Sequence, residues 1–200
     1  MIKLIIFDLS DVCFTCEEGP YLQEYAQKHH LDFLEFDRFY EELLKKAEVG
    51  EISADDLWLQ IIKKFHLPLE NARDIAADMV QRFRHKKEDT LTLIKRLRQH
   101  YKIAYLTNYN EIYWEFVHKK FDLSEYFDDG IVSFQIKARK PDLAGFKALL
   151  YRFQVQPQEA VFTDDSPKNL INARDLGIHV IPFKDAAQLE GELKKLGVKV

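Results

Sequence analysis

The sequence predicts an α/β protein with a Rossmann-like, doubly wound parallel sheet and an inserted all-helical block. Three observations lead to this fold class. Short, nearly continuous apolar runs recur along the chain, as in strands that are buried on both faces. Helical patterns separate most of these runs, as crossovers between parallel strands require. One long region, residues 15–87, shows helical spacing throughout and no strand-like run.

The elements follow one another in a regular order. We expect strands at residues 3–7, 102–107, 160–164 and 179–183, with a weaker one at 130–134. The helices that cover the sheet are expected at residues 88–99, 110–119, 143–153, 166–175 and 185–196. Residues 1–14 and 88–200 would then form the α/β core, and residues 15–87 a helical domain of their own.

Composition and charge exclude several classes of protein. The chain has 200 residues, of which 46% are hydrophobic and 31% charged, which suits one core with a small accessory domain. Its formal net charge of −4 argues against binding to nucleic acid or to an anionic membrane. Residues 15–87 hold 11 basic and 15 acidic residues, whereas the rest holds 18 of each, so the helical region carries the net charge. No apolar run approaches the ~20 residues of a membrane-spanning helix.

Two cysteines, Cys13 and Cys16, form a single C-x-x-C sequence. A lone pair cannot supply the four ligands of a structural zinc site. The thioredoxin-like context of a redox motif is missing as well. We therefore expect two small, semi-buried residues in a loop and a reducing, cytoplasmic location.

Polar residues follow the predicted strands at the points where they end. They are Asp8 after the first strand, Thr107 and Asn108 after the second, Asp164 and Asp165 after the strand at 160–164, and Lys140 in the loop before the helix at 143. Taken singly, each could be a turn or helix-cap residue. In a doubly wound sheet, however, the carboxyl ends of the strands meet at one edge. Three carboxylates there would repel one another unless a divalent cation lay among them. Lys140 and Thr107 would then donate to an anion beside the metal, as in a site for phosphoryl transfer.

These residues lie in four short motifs, "FDLSDV", "LTN", "KARKPD" and "FTDDSPKN". In order and spacing they resemble the four motifs of the haloacid dehalogenase-like (HAD) superfamily. The sequence is similar to phosphatases that resemble glucose-1-phosphate phosphatase and to the N-terminal phosphatase domain of soluble epoxide hydrolase. The helical region lies where this superfamily places a C1 cap, so the resemblance covers the whole chain.

The resemblance implies a role for each matching position. Asp8 would attack phosphorus and form an aspartyl-phosphate, while Lys140 would neutralise charge on Asp8 and on the phosphate. Thr107 and the backbone amide of Asn108 would bind the phosphoryl oxygens of a small-molecule substrate. The implied Mg²⁺ ligands are Asp8, the backbone carbonyl of Ser10, Asp164 and, directly or through water, Asp165.

Ser10 departs from the pattern of the superfamily. Most of its phosphatases have an aspartate there, which protonates the leaving alcohol and later takes a proton from water. A serine hydroxyl is too weak an acid for this role, and general acid–base help is typically worth ~10²–10⁴-fold in rate. We expect activated substrates, slow turnover, or an acid from elsewhere, such as a re-aimed Asp11. Glu17, Glu18 and Glu48 of the helical region are further candidates, beside the simpler interpretation that each faces solvent.

Three functions follow from these residues. The first is a Mg²⁺-dependent phosphatase of a small metabolite, such as a sugar phosphate or a similar monophosphate. The second, suggested by Ser10, is a catalytically degenerate scaffold that serves as a binding or regulatory module. The third is a 2-haloacid dehalogenase, which needs no metal. The adjacent Asp164 and Asp165 argue against the third, since they would repel a carboxylate substrate.

Two further segments have simple interpretations. The locally basic residues 81–89 are expected to form a solvated helix end and linker rather than a site for a polyanion. The aromatic residues 113–116 are expected to be core, although they could also form an interface. The oligomeric state stays open between a monomer and a homodimer.

Overall fold

A single parallel sheet forms the centre of the protein, whose structure is a computed structural model that describes residues 1–16 and 18–200. Glu17, one of the candidate acids, lies outside the described residues. The strands are β1 (Leu4–Phe7), β2 (Lys102–Thr107), β3 (Asp129–Val132), β4 (Ala160–Asp164) and β5 (His179–Pro182). Their order across the sheet is β3-β2-β1-β4-β5, and every neighbouring pair is parallel. This confirms the predicted Rossmann-like α/β fold class.

Helices fill the connections between the strands. Between β1 and the next core helix lie α1 (Glu18–Lys28), α2 (Phe33–Ala47), α3 (Ala54–Phe65) and α4 (Ala72–Phe83), which we call the helical insert. The core helices are α5 (Glu88–Leu97), α6 (Glu111–Lys120), α7 (Ser133–Ile136), α8 (Ala144–Phe153), α9 (Pro167–Asp175) and α10 (Ala186–Lys195). Over the described residues, no helix has both the length and the apolar character needed to cross a bilayer.

Each face of the sheet is covered by helices because the strand side chains alternate. On one face, Leu4 and Ile6 of β1 pack in a cluster with residues of α8 and α9. On the other, Ile5 and Phe7 belong to a larger cluster that includes residues of α5, α6, α10 and the helical insert. The insert therefore shares a continuous apolar core with one side of the sheet.

The helices of the insert are defined locally by their N-terminal caps. Asp32, Ser53 and Asn71 precede α2, α3 and α4, and each accepts a hydrogen bond from a backbone N–H of the first turn. Such caps satisfy donors that the helix itself leaves unpaired. Inside the insert, the rings of Tyr25 and Trp58 pack with centroids 5.4 Å apart, so aromatic contacts join α1 to α3.

The chain passes between the sheet and the insert twice, and the two passages lie side by side. The backbone N–H of Thr15 donates to the carbonyl of His85 at 2.9 Å, and that of Lys87 to the carbonyl of Cys13 at 3.0 Å. Phe14 and Lys86 form an antiparallel bridge between these bonds. We call residues 13–16 and 84–87 the paired crossings.

The weakest predicted strand, 130–134, is wrong at its C-terminal end. Its partner β2 ends at Thr107, which pairs with Val132, so Ser133 has no strand residue beside it. Instead the Ser133 hydroxyl accepts a hydrogen bond from the N–H of Tyr109 at 3.1 Å, and the chain turns into the short helix α7. The apolar pattern of the run could not show where the neighbouring strand stops.

Gly130 in β3 provides a test of this packing. A Cβ at this position would lie 2.1 Å from the ring of Tyr105, and that ring is held between Trp114 and Phe127. We expect Gly130→Ala to lower the free energy of unfolding by about 1–3 kcal/mol in urea titrations, as overpacked sites do. The matched control is Gly191→Ala in α10, where a Cβ meets nothing within 4 Å. It should raise stability by about 0.5–1 kcal/mol, and equal effects at both sites would contradict this account.

Candidate active site

A buried lysine joins the carboxyl ends of β1 and β4. Lys140 Nζ lies 2.7 Å from Asp8 Oδ1 and 2.6 Å from Asp164 Oδ2. All three residues are buried, with 3% of Lys140 and none of Asp164 exposed. Since a buried charge is tolerated when it is paired and hydrogen-bonded, these ion pairs hold the three groups in place. The sequence predicted that these side chains would meet, and the structure brings them together.

The electrostatics of this cluster are unusual. Burial raises the pKa of Asp8 to about 7, with Lys140 opposing the rise and Asp164 adding to it. Burial disfavours the charged form of Lys140, but attraction from Asp8 and Asp164 outweighs it and raises the lysine pKa. Burial, followed by repulsion from Asp164, also raises the pKa of Asp165. The carboxylates thus outnumber the cation that balances them, so the cluster favours additional positive charge.

The same carboxylates have the geometry of a cation site. Asp8, Asp164 and Asp165 each offer a carboxylate oxygen within 4.8 Å of the others. Asp164 is oriented by the backbone N–H of Ser166 at 2.8 Å and by the side-chain amide of Asn169 at 3.1 Å. Oxygen ligands of this kind suit Mg²⁺, which binds through a few carboxylates and retains water. The residues present therefore fit the predicted metal.

Thr107 and Asn108 lie beside this cluster, on the wall of the cavity that Asp8 and Lys140 also line. Thr107 is buried, and its hydroxyl has no hydrogen-bond partner within the described structure. A buried hydroxyl without a partner is costly, and a ligand oxygen could satisfy it. Asn108 has a function that the sequence did not reveal: its side chain accepts from the N–H of Lys140 at 2.9 Å and donates to its carbonyl at 3.3 Å. Asn108 therefore fixes the loop that carries the lysine.

Arg84 is the exception, among the described side chains, to the solvated segment that we expected at residues 81–89. It follows α4 with only 1% of its surface exposed. One terminal nitrogen donates to the hydroxyls of Ser10 at 3.1 Å and Tyr109 at 2.8 Å, and the other to Tyr113 at 2.7 Å. The Ser10 hydroxyl also lies 2.9 Å from that of Tyr109. A run of basic residues is typical of a surface segment, so the sequence did not indicate a buried arginine. Arg84 is buried because neutral hydroxyls, which lie far from it in the sequence, accept its hydrogen bonds.

The cavity above Asp8 extends to the helical insert. It has a volume of about 230 Å³, and its walls include Glu18, Tyr40 and Glu48 from the insert and Arg139 from the core. Glu48 is buried and forms an ion pair with Arg139 at 2.7 Å, and burial raises its pKa to about 7. Glu18 is half-buried and accepts a hydrogen bond from Tyr40 at 2.5 Å. The interpretation of these two glutamates as solvent-facing is therefore wrong.

The remaining candidates near Asp8 have structural partners. Asp11, considered as a replacement acid, accepts the backbone N–H of Cys16 at 2.8 Å through its carboxylate. Cys13 is buried and donates to the backbone carbonyl of Asp8 at 3.2 Å. Both cysteines are free thiols, and Cys16 lies 2.9 Å from Arg84. Tyr113 is buried in the core, as expected, and Trp114 is partly buried and packs against it.

A parallel sheet whose carboxyl edge carries paired carboxylates and a lysine defines an α/β enzyme with its chemistry at that edge. The family model of the haloacid dehalogenase-like hydrolases matches residues 2–177. The chain therefore belongs to the haloacid dehalogenase-like hydrolases, as its motifs indicated.

Two of the relatives described here are similar over nearly the whole chain, and a third over a shorter part of it. D-ribitol-5-phosphate phosphatase from Bacteroides thetaiotaomicron is 25% identical over 96% of this chain and 97% of its own. Drimenol cyclase from Aspergillus calidoustus is 25% identical over 98% of this chain, which spans only 37% of that protein. Bifunctional epoxide hydrolase 2 from Rattus norvegicus is 39% identical over 38% of this chain and 14% of its own length.

A solved structure shares the fold. It is a HAD family enzyme from Bacteroides thetaiotaomicron, determined in complex with magnesium and inorganic phosphate. The two structures superpose with a TM-score of 0.78 over 92% of this chain and 96% of the other, at 24% sequence identity. At this identity the likeness establishes the common fold.

The ion pairs of Lys140 predict a large effect on stability. Lys140→Met would leave the carboxylates of Asp8 and Asp164 buried without their cation. We expect the free energy of unfolding, measured by urea titration in EDTA, to fall by about 3–5 kcal/mol, as when one partner of a buried ion pair is removed. The control is Lys147→Met at an exposed position of α8, expected within about 0.5 kcal/mol of the unmodified protein. A loss below about 1 kcal/mol for Lys140→Met would contradict the account.

Proposed function

We propose that this hydrolase is a Mg²⁺-dependent phosphatase of a small phosphorylated metabolite, acting through an aspartyl-phosphate on Asp8. The observation that carries the proposal is the meeting of a carboxylate, Asp8, with Lys140 and the unpartnered hydroxyl of Thr107 at one cavity wall. Full-length similarity to a sugar-phosphate phosphatase supports the same class of substrate.

Each residue of the site has its own role in the proposed phosphoryl transfer. Asp8 supplies the oxygen that attacks phosphorus, and Lys140 holds this carboxylate in position and neutralises charge as the bond forms. Thr107 donates its free hydroxyl, and Asn108 its backbone N–H, to the phosphoryl oxygens. Asp8, Asp164, Asp165 and the backbone carbonyl of Ser10 would hold Mg²⁺. Bound there, the ion supplies positive charge that favours the ionised form of Asp8 and balances the phosphoryl group.

The helical insert serves as a C1 cap, and residues 15–87 form this second domain. Glu18, Tyr40 and Glu48 extend the wall of the cavity, so they would contact the part of the substrate that is not phosphate. A cavity of about 230 Å³ suits a small monophosphate rather than a polymer. The cytoplasmic location, and the choice between a monomer and a homodimer, stay predictions.

The binding-module alternative is favoured by one observation. The Ser10 hydroxyl lies within hydrogen-bond distance of both Arg84 and Tyr109, so it is not free to act on a leaving group. The haloacid dehalogenase alternative is less favoured, because Asp164 and Asp165 crowd the nucleophile that a carboxylate substrate would have to approach.

The first test is hydrolysis of para-nitrophenyl phosphate and acetyl phosphate, with Mg²⁺ and with EDTA. Both substrates have good leaving groups, so the result does not depend on the acid that Ser10 cannot supply. We expect phosphate release with Mg²⁺ and at least ~10³-fold less with EDTA or in Asp8→Asn, which lacks the nucleophile. If the unmodified protein releases phosphate from neither substrate, the result would favour the binding module. Release that EDTA leaves unchanged would contradict the Mg²⁺ requirement.

Thr107 provides a second test, because its hydroxyl has no partner within the described structure. Thr107→Val keeps the shape of the side chain and removes the donor. We expect kcat/KM to fall by roughly 10–100-fold, as for a hydrogen bond of about 1.5–3 kcal/mol to a charged group. The thermal midpoint of Thr107→Val should be unchanged or higher, because the folded protein makes no hydrogen bond with the Thr107 hydroxyl that the valine would remove. The control is Thr163→Val, another buried and unpartnered hydroxyl, which lies outside the cavity wall and should not affect kcat/KM.

A further inference from the structure

Arg84 is a buried cation whose hydrogen-bond partners, among the described residues, are all neutral. Its guanidinium donates to three hydroxyls, those of Ser10, Tyr109 and Tyr113, and to the sulfur of Cys16. Within the described part of the chain, Arg84 takes part in none of the ion pairs, in contrast to Lys140. Glu18 interacts with Arg84 electrostatically, but its carboxylate receives its hydrogen bond from Tyr40. Because burying a charge is costly without an opposite charge, this position is suited to an anion that arrives with the substrate.

Arg84 borders the cavity that also contains Asp8. It reaches this cavity next to Ser10, the position at which related phosphatases carry the acid that protonates the leaving group. An oxygen that departs from phosphorus toward Ser10 would therefore meet a guanidinium and the phenol of Tyr109 instead of a carboxylic acid. A guanidinium stabilises a departing oxyanion by charge, but it does not give up a proton.

These two observations concern the same end of the cavity and point to the same chemistry. A site without a general acid favours leaving groups that depart as stable anions. A buried cation without an ion-pair partner among the described residues favours leaving groups that carry or develop negative charge beside it. We propose, on the basis of the phosphatase function above, that Arg84 binds the leaving group and that the substrate is a phosphoanhydride. In this class the group released is an oxyanion, either the carboxylate of an acyl phosphate or the phosphate of a diphosphate.

The first half of the reaction needs no general acid, because the leaving group departs without taking a proton. An oxygen of Asp8 bonds to phosphorus, and the bond between phosphorus and the bridging oxygen breaks. Both electrons of that bond go to the bridging oxygen, which leaves as a carboxylate or phosphate beside Arg84 without taking a proton. In the second half, water attacks the aspartyl-phosphate, Asp8 leaves as a carboxylate, and both protons of the water remain on the released dihydrogen phosphate.

The test begins with the unmodified protein in Mg²⁺ and three probes: acetyl phosphate, inorganic pyrophosphate and D-ribitol 5-phosphate. The first two release an oxyanion, and the third releases an alkoxide that must be protonated. We expect kcat/KM for acetyl phosphate or pyrophosphate to exceed that for ribitol 5-phosphate by at least ~10²-fold, the lower range of general acid catalysis. Whichever of the two anhydrides is faster identifies the carboxylate or the phosphate as the leaving group that Arg84 binds.

A series of substituted phenyl phosphates then separates leaving-group binding from a structural role. We compare the dependence of kcat/KM on leaving-group pKa in the unmodified protein, Arg84→Lys and Arg84→Gln, because kcat/KM reports the half of the reaction in which the leaving group departs. Loss of the cation should lower kcat/KM by roughly 10²-fold for the poorer leaving groups, as loss of a transition-state donor does. The slope of log kcat/KM against leaving-group pKa should steepen in Arg84→Gln and be partly restored in Arg84→Lys, which keeps the charge. A purely structural role would lower every rate equally, and that result would overturn the proposal.

The matched control is Arg139→Gln, which removes the same charge from the same cavity on the side of Glu48. For Arg139→Gln, the slope of log kcat/KM against leaving-group pKa should equal that of the unmodified protein. Because Arg84 variants could fail to fold, the selectivity among the three probes stands as an independent test that needs no variant. Equal or faster hydrolysis of ribitol 5-phosphate, abolished by Asp8→Asn, would overturn this proposal and keep the phosphatase function. No hydrolysis of any probe would overturn both.

Discussion

The burial of Lys140 between Asp8 and Asp164 is the constraint on which the site depends. Two strands that are far apart in the sequence must end at the same level for their carboxylates to share one ammonium. The parallel register of β1 with β4 provides this, since Phe7 lies opposite Thr163 and each aspartate comes next. The polar groups around the cluster then have definite tasks. Asn108 holds the backbone of Lys140, and Asn169 orients Asp164. A buried ion pair rarely adds stability for its own sake, so its retention here is best understood as positioning.

The cavity therefore contains two buried cations with opposite surroundings. Lys140 is surrounded by carboxylates, and its charge is already matched within the protein. Arg84 donates to hydroxyls, which orient its nitrogens, and no carboxylate of the described residues forms an ion pair with it. Electrostatic preorganisation of this kind is most effective where water is excluded, because the low dielectric strengthens each interaction. In the proposed reaction, Lys140 would act on the side of the attacking Asp8 and Arg84 on the side of the leaving group.

Much of the fold could be predicted from the sequence, because buried parallel strands are strongly apolar and strand ends are marked by polar residues. The meeting of Asp8 and Asp164 followed from topology, since carboxyl ends of parallel strands share an edge. The place of Lys140 beside them was implied by the resemblance of the four motifs. The end of β3 could not be predicted, because it depends on where β2 stops. Arg84 could not be predicted for a related reason. Most residues around it in the sequence are basic, which is typical of a surface segment. Its hydrogen-bond partners Tyr109 and Ser10 are 25 and 74 positions away. Long-range hydroxyl acceptors leave no local pattern in a sequence.

The paired crossings connect the two parts of the protein through a narrow two-stranded ribbon. One strand of that ribbon continues from the loop that carries Ser10, and the other contains Arg84. The chemistry at the leaving-group end is therefore assembled from both strands at once. Anyone who builds chimaeras by exchanging the insert with that of a relative would have to keep both junctions with the sheet. An exchange that included residues 84–87 would remove Arg84 and leave in the core the hydroxyls that orient it. In the evolution of such chains, residues 10 and 84 would be inherited as a unit, with the insert free to diversify between them.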